Sequence, residues 1–409
     1  MPLTRDQMRA LFDEGLRAAD PRAAVVDALG HPDTRLAPDG RLFVIALGKA
    51  ACAMAEAALG TLPAPARTLV VTNYENARPI AGAEVIAAGH PVPDENGLRA
   101  GKSVLALLSE IREQDNLLVL ISGGGSALLP APVPGLTLAD KAEVSRLLLG
   151  AGLDIVAMNA VRQHLSELKG GGLLRRAAPG RVTALILSDV IGDDLRAIAS
   201  GPTAAPLLPR AEVVEMLKGQ DLWDQLPPAA RAALNRAEGQ APRHLAQNHL
   251  IGANRLSLEA MGHAAPDATL IAEPLTGDVA EAAAKIIAMV HAGTPRLALF
   301  GGETTVTLRG TGKGGRNQEL ALRVALALDG VAGWRFLSGG TDGRDGPTDA
   351  AGGIVDGQTA GRIRAAGANP EALLENNDSY HALHLAGDLL VTGATGTNVA
   401  DLQILSQGA

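Results

Sequence analysis

A short apolar run that stops at glycine or a small polar residue, then gives way to helical spacing, recurs along this chain and constrains its fold more than any other feature. It appears at Leu42–Leu47 before GKA, at Leu117–Ile121 before SGGGSA and at Val182–Leu187 before SDVIGDD. This is the rhythm of parallel βα units. In such folds ligands gather beyond the carboxyl ends of the strands, so the glycine-rich strand ends are where chemistry is expected. A stretch rich in Pro, Ala and charge, Pro202 to Gln247, interrupts the series. The pattern resumes with NHLIGAN, Thr269–Ala272, Arg296–Phe300 before GGE, Arg335–Ser338 before GGTDG and Asp388–Thr392 before GATGTN. The expectation is two α/β domains, 1–239 and 240–409, divided near Gly239, with room for the C-terminal segment to return to the first.

Composition narrows the partners. Lys plus Arg number 36 against 44 Asp plus Glu, a net charge of −8, and only 2% of residues are aromatic. That balance excludes a phosphate-tracking surface and a base-stacking platform, so no nucleic-acid partner is expected. Glycine is in excess, 48 residues where average usage of roughly 7% gives about 29. Cys52 is the sole cysteine, which leaves no intramolecular disulfide or multi-cysteine zinc site and fits a reducing, cytoplasmic setting. The charged N-terminus lacks an apolar segment of signal-peptide length, and no apolar run approaches the roughly 18 residues of a membrane span. No membrane partner is expected, and a homo-oligomer is left open.

Each strand end carries candidates. In SGGGSA, Ser122 to Ala127, successive glycines let backbone amides curve around an anion, and a tight turn explains one glycine better than three. No GK[ST] ending and no GxGxxG spacing follows, so the ordinary nucleotide motifs do not describe it. Lys49 in ALGKA places an ammonium at another strand end, where it would neutralise a transferring phosphoryl group or stand solvated in a first helical turn. Asn159 to Lys169 reads as one helix, with Val161, Leu165 and Leu168 on a buried stripe. Asn159, Arg162, Ser166 and Lys169 lie on a second stripe that aims two cations at an acidic ligand or at solvent.

Asp189, Asp193 and Asp194 follow a strand end, Asp189 closest to it and best placed to hold Mg²⁺, with one of the others serving as a cap. Beyond Gly239, Glu303 in GGETTV and Arg316 in GKGGRNQE suggest an anion clamp at a helix entrance; the bland alternative pairs Arg316 with Glu319. GGTDGRDGPTDAAGG holds Asp342, Asp345 and Asp349 in one loop, of which turn formation accounts for most and Asp342 is favoured for chemistry. His90, in GHPVPDENG, contacts substrate or its own backbone. There is no HExxH pair for zinc and no GxSxG elbow.

Taken in order, LGKA, GHPVPDENG, SGGGSA, NAVRQHLSELKGG, LSDVIGDDL with IASGPT, GGETTV, GKGGRNQEL, GTDGRDGPTDAAGGIVDG, NNDSYHAL and TGTNVADL resemble the class II glycerate 2-kinase family over nearly the whole chain. In that family the C-terminal half is the MOFRL domain, and some members carry a hydroxypyruvate reductase name. Two positions depart from its pattern. Ala127 stands in place of a second serine, and GATGTNVAD carries alanines where the family has GPTGTNVND.

The resemblance implies a Rossmann-like N-terminal domain, a smaller α/β C-terminal domain and a cleft between them. It also implies ATP-dependent, Mg²⁺-requiring phosphorylation of D-glycerate at its 2-hydroxyl, and places active-site roles on Lys49 and Arg316. The working assignment makes Lys49, Arg316 and Asp189 catalytic, with Mg²⁺ at Asp189. ATP would be bound by Ser122, Gly123, Gly124, Gly125, Ser126, Lys169, Glu303 and Asp342, and glycerate by His90 and Arg162. Two other readings stand beside it: an NAD(P)H-dependent hydroxypyruvate reductase, for which no GxGxxG opens a helix, and a non-catalytic nucleotide or organic-acid sensor.

Overall fold

Six strands form the first sheet: β1 (Leu42–Leu47), β2 (Arg67–Asn73), β3 (Glu84–Ala88), β4 (Asn116–Ile121), β5 (Arg181–Leu187) and β6 (Gln247–Gly252), in the order β3-β2-β1-β4-β5-β6. The pairings from β3 through β5 are parallel, with Leu47 opposite Val71 on one side and Ile121 on the other. Both faces are covered. Phe43, Ile45, Leu47, Val119, Ile121 and Ile186 pack with Ala100, Val104 and Leu107 of the helix Glu95–Ser109. Their alternates Val44, Ala46, Leu118, Leu120 and Leu185 pack with Met54, Ala55 and Ala58 of the helix Ala51–Thr61. Burial of alternate residues on opposite faces is why these strands read as continuous apolar runs. The strand order reverses between β1 and β4, and a doubly wound sheet opens its ligand crevice at such a reversal. GKA leaves β1 there and SGGGSA leaves β4.

The computed structural model describes residues 1–34, 36, 39–236 and 245–408. By contacts the chain divides into two units: Pro21–Ile251, and Met1–Asp20 with the chain from Gly252 onward. Gly239, where the sequence suggests a boundary, lies outside the described residues. NHLIG, expected to open the second domain, supplies β6 of the first sheet. The opposite exchange occurs at the N-terminus. Helix Arg5–Ala18 buries Met8, Leu11 and Phe12 among Met261, Leu299, Leu337 and Ile404 of the second unit. A Cβ on its Gly15 would stand 2.6 Å from Leu402 Cδ1 and 2.9 Å from Met261 Sδ, so a larger residue there would have to displace these side chains.

Within the first unit, the helices Leu138–Gly150, Ile155–His164, Arg210–Gly219 and Pro228–Leu234 share their own core of Val144, Leu148, Met158, Val161, Val213 and Leu217. The single helix expected from Asn159 to Lys169 is corrected here: it starts earlier and ends at His164. Gln163 donates to the carbonyls of Arg196 and Ser200, and the Glu167 amide donates to Ala131 O at 2.8 Å. These tertiary bonds pull Ser166 into a bridge with Pro132 and end the helix a turn early. Val161, Leu165 and Leu168 are all buried as expected, although only the first is helical.

The second sheet is mixed. Its strands are β7 (Thr269–Leu270), β8 (Leu275–Asp278), β9 (Leu297–Thr305), β10 (Trp334–Gly340), β11 (Gly352–Asp356), β12 (Leu389–Leu390) and β13 (Asp401–Gln407), in the order β12-β11-β10-β13-β9-β7, with β8 also pairing β9. The C-terminal strand β13 does not leave its unit: it runs antiparallel between β10 and β9. Phe300, Phe336, Val355 and Leu405 pack under the helices Val279–Ala292 and Arg316–Ala327. Among the described residues no helix is long and apolar enough to cross a membrane.

Candidate active site

At the reversal point of the first sheet the two turns after β1 and β4 lock together by backbone. The Lys49 amide donates to Gly123 O at 2.9 Å, and the Ala50 amide donates to the Ser122 hydroxyl at 3.1 Å. Gly48 has φ +114°, and a Cβ there would lie 2.4 Å from the Ser122 carbonyl. Ser122 is 3% exposed and serves as a pin between the turns. The three glycines are each explained by a neighbour. A Cβ on Gly123 would meet Asp189 Oδ2 at 2.2 Å, one on Gly124 would meet the His90 ring at 3.1 Å and Lys49 Cγ at 3.3 Å, and one on Gly125 would meet Leu47 Cδ1 at 2.2 Å. The glycine run thus lets Lys49, His90 and Asp189 converge on one backbone turn, which a single tight turn did not account for.

The charges of this cluster are tuned by burial. Burial pushes the Asp189 carboxyl above its ordinary value, against its own amide, the Lys49 charge and the Gly124 amide. Burial, then the Lys49 charge, holds His90 below its ordinary value, so the imidazole is neutral near pH 7. Perturbed groups gathered at a strand-end crevice mark a functional site. Asp194 instead accepts from the Arg196 amide and guanidinium in a tight turn, whereas the helix cap expected of one of these aspartates is not what it forms: the short helix that follows has Ala197 at its N-cap.

Ser126, one residue further on, opens a second group. Its hydroxyl accepts from Lys169 Nζ at 2.8 Å and shares a hydrogen bond with the Ser200 hydroxyl at 2.8 Å. Lys169 is 7% exposed. Burial lowers its pKa, and the charges of Lys141 and Arg162 lower it further. Arg162 and Lys169 are thus brought together as expected, but by a bent chain rather than one helical stripe. Lys141 was not visible as a candidate: in LADKAEVSRLL it reads as an ordinary surface lysine.

In the second unit Arg316 begins the helix Arg316–Ala327. Its Nε and Nη2 donate to the two oxygens of Asp401 at 2.7 and 2.9 Å, and its Nη1 donates to Glu303 at 2.8 Å. The Asp401 side chain is fully buried. Burial works against the Arg316 charge, but the hydrogen bonds and charge of Asp401, with Glu303 and Asp345, outweigh it and raise the guanidinium further. Glu319, the local partner weighed for Arg316, is bonded to Arg323 and Asn377. The bidentate partner is missed by sequence because it lies 85 residues downstream. The only signal for it is an aspartate opening an apolar strand in TNVADLQIL.

The three aspartates of the GTDG loop do different work. Asp342, at the end of β10, accepts from the Arg344 amide at 3.0 Å in a tight turn, and Asp349 accepts from the Tyr380 hydroxyl at 2.7 Å. Asp345 receives the Asn317 and Gln318 amides at 3.1 and 2.8 Å and so satisfies the first turn of the Arg316 helix. Burial pushes its carboxyl from an ordinary 3.8 up to about 6, against those amides. A carboxyl raised in the folded state favours folding while protonated and loses that advantage as pH rises through about 6. Asp345→Asn should therefore gain Tm relative to the parent as pH is raised from 4 to 8, with the change falling between the ordinary 3.8 and about 6 and levelling off above that. A Tm difference flat across that range, measured by calorimetry in matched buffers, would contradict this.

Each unit carries a polar constellation at strand ends, and the first holds it at the reversal point of a doubly wound sheet. Together these define an α/β enzyme that handles small anionic substrates. Comparison with known proteins fixes the family. The model described as "Domain of unknown function (DUF4147)" matches residues 7–235, and the MOFRL family matches residues 296–401. A D-glycerate 2-kinase of Thermotoga maritima is 41% identical over 96% of both chains, and a glycerate 2-kinase of Pyrococcus horikoshii is 38% identical over 96% of this chain and 95% of the relative. The crystal structure of a Thermotoga maritima glycerate kinase superimposes with a TM-score of 0.89 at 40% identity, covering 98% of each chain. The chain belongs to the glycerate 2-kinase family built from DUF4147 and MOFRL domains.

Proposed function

We propose that this protein transfers the terminal phosphoryl group of ATP to the 2-hydroxyl of D-glycerate, giving 2-phospho-D-glycerate and ADP. The observation that carries this reading is the convergence of Lys49, His90 and buried Asp189 on Gly123–Gly124 at the strand reversal. Phosphoryl transfer needs positioning and charge stabilisation more than covalent chemistry. The Lys49 side chain makes no hydrogen bond or ion pair among the described residues, its backbone amide being bonded to Gly123, so its ammonium is available to the phosphoryl oxygens as charge builds. Asp189, whose affinity for a proton is raised by burial, is suited to accept the 2-hydroxyl proton or to hold a cation.

The kinase chemistry implies Mg²⁺ with the nucleotide. Among the described residues no group of three or more acidic, histidine or cysteine side chains forms a metal site. A single carboxylate fits the need, because Mg²⁺ at phosphates commonly takes one or two protein oxygens and keeps the rest for phosphate and water. Asp189 would hold it, and the ion would neutralise phosphate charge. Ser122 acts on ATP indirectly, by fixing the turn, while Ser126 presents a hydroxyl beside it and accepts from Lys169. Arg316 is held through Asp401, and its contact to Glu303, whose side chain is 43% exposed, is the one an incoming phosphate oxygen can replace. Asp342 takes part through its turn beside Gly340.

The strand order is also that of dinucleotide-binding folds, which favours the reductase reading, as does a relative from Agrobacterium vitis that is 40% identical and carries a provisional hydroxypyruvate reductase name. The first βα turn of this sheet, however, is LGKA, with one glycine and a lysine in place of GxGxxG. The expected result is ADP release that depends on D-glycerate, with a phosphorus NMR signal of 2-phosphoglycerate and none of 3-phosphoglycerate. Loss of nicotinamide absorbance with hydroxypyruvate would support the reductase instead. Tight ATP binding without turnover would support a sensor.

A further inference from the structure

Three cations gather in the first unit with no carboxylate paired to any of them among the described residues. Lys141 stands on the helix Leu138–Gly150, Arg162 on the helix Ile155–His164 and Lys169 just beyond it. Lys169 is buried and donates to Ser126, itself bonded to Ser200. Arg162 Nε donates at 3.2 Å to Ser145, one helical turn after Lys141. The Lys141 Nζ is buried and meets no hydrogen-bond partner among the described residues.

Such an arrangement is unfavourable by itself, since an unpaired buried ammonium loses its hydration and like charges repel. Burial, with the Arg162 charge behind it, pulls Lys141 down to about 8. The cations nevertheless stay together because Val144 and Leu148 of one helix pack rigidly with Met158 and Val161 of the other. Concentrated positive charge, three serine hydroxyls and no paired carboxylate among the described residues are complementary to an oxyanion. The burial of the lysine ammonium groups fits a small oxyanion rather than an extended polyphosphate, and Ser126 ties the group to the turn that carries Lys49, His90 and Asp189.

We propose that Lys141 joins Arg162 and Lys169 in a buried oxyanion seat that holds the carboxylate of the hydroxy-acid acceptor. This rests on the kinase reading above for the identity of the acceptor, and on the three cations alone for the class of ligand. Holding the carboxylate there makes the seat a determinant of acceptor specificity: acids gain and neutral polyols lose.

The test compares the parent with Lys141→Met, which keeps the length of the side chain and removes its charge. The expected result is a KM for D-glycerate raised on the order of 10- to 100-fold, the gain of a charge-assisted contact, with the KM for ATP within about twofold of the parent. An unchanged KM for glycerate overturns the proposal, and a rise confined to ATP overturns it in favour of a phosphate seat. A binding arm stands apart from turnover: Tm is measured with D-glycerate, oxalate or inorganic phosphate. Lys141→Met should have a higher Tm than the parent without ligand and a smaller rise with the carboxylates. A lower Tm with an undiminished response to carboxylates overturns the proposal. If the parent forms no ADP with glycerate, the kinase reading fails, and the binding arm still decides whether the seat exists.

Discussion

Lys49→Ala should lower kcat with ATP and D-glycerate by about 10²- to 10³-fold while leaving Tm close to that of the parent. The size follows from deleting one fixed cation that stabilises developing charge, roughly 2 to 4 kcal/mol of barrier. The unchanged Tm follows from the structure. Lys49 lies next to a locked turn, but the lock is made by its amide and by Ser122, which an alanine preserves. Its ammonium makes no hydrogen bond among the described residues, so little folding energy goes with it. Steady-state kinetics beside a thermal melt separate the two quantities. A kcat within about threefold of the parent would take Lys49 out of the reaction, and the convergence with His90 and Asp189 would then need another purpose.

Arg316→Ala should act on folding as well as on turnover, with a loss of stability of about 3 to 5 kcal/mol. Removing the guanidinium leaves Asp401 buried without its bidentate partner, and an uncompensated buried charge is far costlier than the net worth of the pair. Adding Asp401→Asn to that variant should recover a large part of the loss, because it removes the stranded charge. Glu303→Gln should cost less than about 1 kcal/mol, as expected of a half-exposed ion pair. Urea unfolding of the four proteins forms the test. If Arg316→Ala loses less than about 1 kcal/mol, the Asp401 pair does not hold the β13 entrance in place. Where the variant remains folded, a lower kcat per folded molecule marks contact with phosphate, and an unchanged one marks a strut alone.

These two cations show how far the sequence carried. Both sit at strand or loop ends in glycine-rich motifs, and both are legible as candidates. The sequence does not distinguish their surroundings. Lys49 meets no acid by hydrogen bond, whereas Arg316 is held by Asp401, from a strand added at the far end of the chain. The same limit explains Lys141: its helix has no motif and its spacing reads as surface, and only the packing of two helices reveals a buried ammonium with no hydrogen-bond partner among the described residues. The Asn159–Lys169 helix failed for a related reason. Periodicity identified which residues are buried, while the Glu167 amide bonding to Ala131 O decided where the helix stops.

The apolar runs, their glycine ends and the order of the motifs were enough to determine an α/β chain of two parts, the strand ends that carry its chemistry and the kinase family it belongs to. Those features are local, and a run buried on both faces leaves its mark on every residue of the strand. Only the tertiary structure decided which unit claims the first helix and β6, that the second sheet is mixed, and which charges are compensated. Those depend on pairings between residues tens to hundreds of positions apart, where no local preference acts and the free energy of a charge is set by what packs around it.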